Sequence, residues 1–229
     1  MKVAVFDVCG TLYDSNTTFD FLDFVFKDSN SYQLFKYIYK SFIVKLIAYP
    51  FYRFFHYDII RAIATLFLRG KRVDEVEKLA QAFIDSYLEK KKIAYTHHLL
   101  KEYQKRGFEL VLMSGSYDIV VSKIAKKLQI SSFYASRLQR EDDILTGRYE
   151  EDILWDKATI LKRAYPSIST LVVVSDNRSD YALLKRAQSA IAIVKKHKMV
   201  AFWQKSDIKN IKIVGLDGKI YTTHGLSDI

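Results

Sequence analysis

Three short apolar runs constrain this chain more than any other feature: Val3-Ala4-Val5-Phe6, Leu110-Val111-Leu112-Met113 and Leu171-Val172-Val173-Val174. Each is bulky or β-branched, shows no polar alternation and ends at a small or acidic residue, so each reads as a strand covered on both faces, as in a parallel sheet. A fourth run, Ala190-Ile191-Ala192-Ile193-Val194, follows a helix-like segment. Between the runs, His98 to Arg106 and Lys157 to Ala164 carry helical spacing and good helix formers. Strands alternating with helices predict an α/β fold, a doubly wound parallel sheet. Ligands in such sheets bind outside the carboxyl ends of the strands, so the residues that follow each run are where chemistry is expected.

One region breaks the alternation. From about residue 14 to residue 96 the pattern is helical and aromatic-rich, with no buried strand, which predicts a mainly α-helical cap inserted into a core made of residues 1–13 and 97–207. In the last stretch, 208–229, Ile211-Lys212-Ile213-Val214, a Gly215-Leu216-Asp217-Gly218 turn and Lys219-Ile220-Tyr221-Thr222 predict a β-hairpin extension without an assigned role. Eight Gly and two Pro exclude collagen-like and linker-dominated architectures, and no repeat recurs. A single Cys excludes an intrachain disulfide and a Cys-cluster zinc site, and fits a reducing compartment. The start, MKVAVFDVCG, is too short in apolar residues for a signal-peptide core, and no uncharged apolar run reaches the roughly eighteen residues of a membrane span. The expectation is a cytoplasmic globular protein, with nothing that fixes an oligomeric state.

The net charge of +10 suits an anionic partner or simply a soluble surface. Nucleic acid is not expected, because the basic residues are scattered, Lys90-Lys91-Lys92 being the longest run, and no binding signature accompanies them.

The strand ends carry a coherent set. After the first run comes Asp7-Val8-Cys9-Gly10-Thr11-Leu12, after the second Ser114-Gly115-Ser116, and after the third Ser175-Asp176-Asn177-Arg178-Ser179-Asp180, with Lys157 opening a helix between. Asp7 and Asp176, from separate strand ends, can share a hard divalent cation with a phosphate oxygen. A Ser hydroxyl, nearby N–H groups and one Lys would orient the other oxygens, leaving Asp7 as nucleophile in a phosphoryl transfer. Each residue alone has an ordinary explanation, since Asp after an apolar run serves turns and N-caps, and Lys on a helix is commonly solvated. Four at four expected places, in order, carry more weight than any one.

With these residues in view, the chain resembles the haloacid dehalogenase superfamily, whose first motif is Asp-x-Asp-x-Thr after strand one. It is most similar to the phosphoserine-phosphatase-like branch, with a helical cap between the first and second motifs. The likeness is carried by VLMSGSYDIV, FYASRLQREDDILTGRY, WDKATIL and VVVSDNRSDYALL, and spans about residues 1–13 and 97–200. The resemblance implies an Mg²⁺-dependent phosphatase acting on a phosphorylated small molecule through an aspartyl-phosphate. It implies Asp7 as nucleophile and metal ligand, the Cys9 main-chain carbonyl and Asp176 as further ligands, and Ser114, Gly115 and Lys157 on the phosphate. Thr11, Asn177 and Asp180 are implied as supporting residues.

Two departures matter. The second acid of the first motif is Cys9 here, and a thiol, with an ordinary pKa of about 8.5, cannot easily serve as both acid and base. Three readings follow: a slow or narrow phosphatase, a phosphate-binding or regulatory protein, or other chemistry through Asp7 as in dehalogenating relatives; the first leads because the remaining charged set is intact. The position at which phosphoserine phosphatases carry a substrate-binding Glu is Asn16, which has no charge for an ammonium. Arg178 reads either as an anion-binding group or as a solvent-facing loop residue.

Within the cap, Tyr37, Tyr39, Phe42, Tyr49, Phe51, Tyr52 and Phe54 interleave with Lys36, Lys40, Lys45 and Arg53. This mixture suits a weak membrane-surface or lipid-phosphate association, but Lys45 lies nearly opposite Lys36 and Lys40 on a helix, so a packed cap with snorkelling lysines is the favoured expectation. Pro50 predicts a break or kink, and His97-His98 predict helix-surface residues rather than a metal pair.

Overall fold

The structure, a computed structural model, describes residues 1–223. Strand β1 (Lys2–Phe6) is followed by five helices, α1 (Thr17–Val25), α2 (Asn30–Lys40), α3 (Phe42–Phe54), α4 (Ile59–Thr65) and α5 (Val73–Ser86). The alternation then resumes with α6 (Ala94–Lys105), β2 (Glu109–Tyr117), α7 (Asp118–Lys127), β3 (Ser132–Glu141), β4 (Ile144–Glu151), α8 (Lys157–Ala164) and β5 (Thr170–Ser175). It closes with α9 (Tyr181–Arg186), β6 (Ser189–Val194), α10 (His197–Gln204), β7 (Ile211–Gly215) and β8 (Ile220–Thr223). The strands form one sheet in the order β4-β3-β2-β1-β5-β6-β7-β8, parallel throughout except for the antiparallel outer pairs β3/β4 and β7/β8. This is the doubly wound α/β architecture expected from the apolar runs.

The runs lack polar alternation because both faces of the sheet are covered. Ala4 and Phe6 of β1 enter one buried cluster with Leu112 and Val174, while Val3 and Val5 enter the other with Val111 and Val173. That is the period of two of a strand, read against apolar layers on either side. Chain order reverses about β1, which has β2 on one flank and β5 on the other. A crevice at the carboxyl ends is the consequence.

Several local features differ from the sequence expectations. The ribbon β3/β4 was not foreseen as strands; it turns at Asp142 and Asp143, both with positive φ (47° and 63°), as a two-residue hairpin turn of mirror type requires. The expected C-terminal hairpin forms, but β7 pairs in parallel with β6, so it continues the central sheet; residues 224–229 of the 208–229 segment lie outside the described residues. Helix α3 runs on through Pro50 rather than breaking there, although Pro50 has no N–H to offer the Leu46 carbonyl. His97 is half-buried, not a surface residue: its ring meets Tyr13 edge-on at 5.3 Å and its Nε2 lies 3.1 Å from the Leu12 carbonyl. Burial holds its pKa below the ordinary histidine value. The cap packs through α1, α4 and α5, which bury Phe21, Leu22, Ala64, Phe83 and Ile84, but the expectation of a packed segment is corrected at α3, which leaves most of its large apolar side chains in solvent.

Candidate active site

The register aligns Phe6 with Leu112 on one side and Val174 on the other, so the sequence-predicted residues leave the sheet together. Asp7 is the first residue beyond β1. Its N–H still donates to the Val174 carbonyl (3.0 Å), which pins the backbone, and its buried Oδ1 accepts from the Val8 N–H (2.8 Å). Gly10 sits at φ +64°, and a Cβ there would fall 2.1 Å from Asp176 Oδ2, so glycine alone lets the loop approach that carboxylate. Thr11 closes the same contact from below: its hydroxyl accepts from the Asp176 N–H (2.9 Å) and donates to Asp176 Oδ1 (3.2 Å).

Lys157, the first residue of α8, is fully buried between two carboxylates. Its Nζ lies 3.1 Å from Asp7 Oδ1 and 2.8 Å from Asp180 Oδ2, and the Ser175 hydroxyl also donates to Asp180 Oδ2 (2.6 Å). Burial alone would lower the Lys157 pKa, yet Asp180 and Asp7 outweigh it and hold the ammonium above its ordinary value. Asp7 is pushed up to about 6, first by burial, with Lys157 opposing and Asp180 reinforcing the rise. Asp176 rises to about 8, by burial and then by the charges of Asp7 and Asp180. Ser114 is buried in the carboxyl-terminal half of β2, where its Oγ accepts from the Ser116 N–H (3.2 Å). A Cβ on Gly115 would press within 2.8 Å of the Leu154 side chain, so glycine lets β2 run close against that residue. Asn177 is a structural member: its Oδ1 accepts from the Ser179 N–H (3.1 Å) and holds the loop before Asp180.

Cys9 joins the cluster through its side chain. Its Sγ lies 2.7 Å from Thr17 Oγ1 and 3.8 Å from Ser114 Oγ, and burial followed by the Asp7 charge pushes the thiol up to about 11. It is therefore a neutral group at neutral pH. Asn16 uses its side chain to cap α1, accepting from the Phe19 N–H (3.4 Å). The sequence reading gave no role to Thr17 or to Ser175, whose hydroxyls complete the cluster, and placed Tyr52 only in the cap, whereas it lines an open cavity of about 620 Å³ together with Cys9, Asp20, Asp176, Arg178 and Lys195. A tyrosine inside a helical stretch carries no signal until the inward face of its helix is known.

The donor set can be weighed against a divalent cation. Among the described residues no three His, Cys, Asp or Glu side chains converge as a metal cluster, so a cation would rest on the Asp7 and Asp176 carboxylates and a main-chain carbonyl. Oxygen donors with room for water suit a small hard ion. Burial raises both carboxyls, Asp180 adds to the rise of Asp7, and Asp7 and Asp180 add to that of Asp176; a cation would relieve this crowding of acids, and Lys157 contacts only Asp7 of the two. The residues fit Mg²⁺.

Fold and cluster together define a class: an α/β protein with a carboxylate-centred site at the switch point of a doubly wound sheet. More narrowly, the chain belongs to the haloacid dehalogenase-like hydrolase family, whose model matches residues 4–185. It is similar to a phosphoserine phosphatase of Methanocaldococcus jannaschii, 31% identical over 122 residues that cover 49% of this chain and 58% of the relative, so the match spans little more than half of that protein. Among solved structures, a Bordetella pertussis Tohama I protein of unknown function superposes with a TM-score of 0.75 at 15% identity, covering 94% of this chain and 98% of that one. A phospho-aspartyl intermediate analogue of phosphoserine phosphatase gives 0.62 at 22% identity, covering 94% and 93%. These two superpositions speak for the fold.

Proposed function

We propose that this chain is an Mg²⁺-dependent phosphomonoester hydrolase that works through an aspartyl-phosphate on Asp7, slowed by the thiol at position 9. The observation that carries the reading is the buried triad Asp7–Lys157–Asp180 beside Asp176, four ionisable groups gathered at the carboxyl end of β1 and β5 in a chain of the haloacid dehalogenase-like hydrolase family. Clustered buried charge is costly and is characteristic of sites that use it. Mg²⁺, held by Asp7, Asp176 and the Cys9 carbonyl, would supply positive charge to the transferring phosphoryl group.

The protein groups account for the rest. Lys157 orients the Asp7 carboxylate and adds a fixed positive charge, while the Ser114 hydroxyl and the Gly115 N–H would donate to phosphate oxygens. An Asp7 oxygen bonds to phosphorus as the ester P–O bond breaks, and the leaving oxygen takes a proton from the Cys9 thiol or from water. Water then attacks the aspartyl-phosphate, which releases orthophosphate and restores Asp7. This second step lacks a carboxylate base, so the acyl phosphate should persist. Phosphoserine fits poorly as substrate, because Asn16 is neutral and engaged in capping α1.

The test is a Mg²⁺-supplemented comparison of p-nitrophenyl phosphate with simple alkyl phosphates, with Asp7→Asn as the blank. An aryl oxide leaves without protonation, so the expected result is Asp7-dependent cleavage of the aryl ester well ahead of the alkyl esters. Turnover that survives Asp7→Asn would remove the reading. Phosphate binding without Asp7-dependent turnover would favour the regulatory alternative, for which the neutral thiol is the specific argument.

A further inference from the structure

Helix α3 turns its apolar residues outward. Phe42, Leu46, Pro50 and Phe54 form one row at i, i+4 spacing and Ile43, Ile47 and Phe51 the adjoining row, all exposed, with Phe42 and Phe54 78% and 73% accessible. Helix α2, packed beside it, adds Leu34, Tyr37 and Ile38 at i, i+3 and i+4, and the segment after α3 adds Phe55 and Tyr57. Single exposed apolar residues are ordinary, but two adjoining rows on a helical hairpin are a surface built to be covered.

The charge pattern says what covers it. From Ser29 to Tyr57 the sequence contains no Asp or Glu, while Lys36, Lys40, Lys45 and Arg53 all fall inside the stretch. Lys36 is held by Asp23 (2.6 Å), but Lys40 and Arg53 are exposed and have no acidic partner among the described residues. A second copy of this chain would set basic, acid-free hairpins against each other, within molecules that each carry +10. An anionic lipid surface complements both features, taking the rings at the acyl boundary and the bases among the headgroups. No helix of the described residues is long and apolar enough to cross a membrane, so the hairpin would lie in the interface.

The same helix reaches the site. Tyr52 points inward from α3, lines the cavity with Cys9, Asp176 and Arg178, and meets the Trp155 ring at 5.1 Å. One helix width, about 10 Å, therefore separates the exposed rows from the cavity. Arg178, stacked 4.1 Å from the Phe202 ring, adds an exposed positive charge at the mouth.

We propose that the α2–α3 hairpin seats this chain on an anionic bilayer and that its substrate is the phosphomonoester headgroup of a membrane lipid, a conclusion that rests on the phosphatase reading above. Hydrolysis would break the P–O bond to the lipid alcohol, with water giving hydroxide to phosphorus and a proton to the alcohol.

The experiment separates docking from chemistry. Flotation with phosphatidylcholine vesicles, with and without phosphatidylglycerol, should show binding only to the anionic set. The combined variant Phe42→Ser, Ile47→Ser, Phe54→Ser should bind at least about tenfold more weakly while cleaving soluble p-nitrophenyl phosphate like the parent. Vesicle-embedded phosphatidic acid should be hydrolysed faster than soluble glycerol phosphate by the parent, and that advantage should vanish in the variant. Absent vesicle binding, or binding unchanged by the three substitutions, would overturn the proposal. So would a parent dimer that becomes a vesicle-indifferent monomer on substitution, which would assign the face to a second copy. Anionic vesicle binding without Asp7-dependent cleavage of any phosphate ester would overturn the phosphatase reading and the lipid substrate with it, while the docking face stood.

Discussion

Cys9 places a thiol between the Thr17 and Ser114 hydroxyls, close enough to Asp7 for the carboxylate's charge to raise its pKa. A carboxyl group substituted there would accept from the Thr17 hydroxyl and would feel the same charge, which favours its protonated, acid form. Cys9→Asp is accordingly expected to raise kcat on alkyl phosphates by up to about 10²-fold, with a much smaller gain on p-nitrophenyl phosphate, whose leaving group needs no acid. Steady-state assays with Asp7→Asn as the blank measure it; an unchanged alkyl rate would mean that position 9 does not limit turnover. At this scale the sequence was informative where chemically distinctive residues stand at or next to the ends of apolar runs, as Asp7, Ser114 and Asp176 do. Thr17 and Tyr52 carry no such mark, because hydroxyl and phenol groups occur in every helix and strand, and Ser175, although it follows Val174 directly, shows its part only where the fold sets its hydroxyl against Asp180.

Helix α4 and the β3/β4 ribbon are held together by one buried arginine. The Arg61 guanidinium donates to Asp152 Oδ1 (2.6 Å), Ser136 Oγ (3.2 Å) and the Tyr149 hydroxyl (2.8 Å), and it packs 4.7 Å from the Tyr149 ring. Next to it Thr65 Oγ1 lies 2.8 Å from the Tyr117 hydroxyl, so the network also reaches β2. Removing the cation leaves the Asp152 carboxylate without its counter-charge, although the Ser136 hydroxyl and the Leu154 N–H still donate to it. Arg61→Ala is expected to lower stability by about 3 kcal/mol, the lower end for breaking a buried pair, because Asp152 keeps some access to water. Urea denaturation would show this as a lower midpoint, and a loss below about 1 kcal/mol would mean the network does not fasten α4 to the ribbon. The ribbon was hard to read because Leu138 and Leu145 are its fully buried apolar side chains, too few to stand out among Arg137, Arg140 and Glu141. Helix α3 was misjudged for a related reason: periodicity shows which residues share a face, but not whether that face meets the core or the solvent.

For the whole molecule, the four apolar runs were sufficient to predict a doubly wound sheet, because residues buried on both faces leave an unbroken signature in the chain. They said less about where the sheet ends. Treating 208–229 as an appended hairpin follows from its strong local turn signal, Leu216-Asp217-Gly218, which is complete without reference to anything distant. The structure instead pairs β7 with all of Ala190–Val194 along β6, buries Ile211 and Ile213 in the cluster that holds Trp203 and Ile208, and buries Val214 in the cluster on the opposite face of the sheet. Burying each of these aliphatic side chains contributes about 1.5–3 kcal/mol, so three of them approach the 5–15 kcal/mol by which a domain of this kind is stable. A chain ending at residue 207 would also leave β6 as a flat apolar edge, a template for association. The truncated protein is therefore expected to lose its cooperative thermal transition and to sediment as aggregate, whereas the full chain should melt cooperatively and stay in solution. A 207-residue chain that stayed monomeric and melted within a few degrees of the full protein would show instead that the sheet is complete at β6 and that β7 and β8 are an accessory to it.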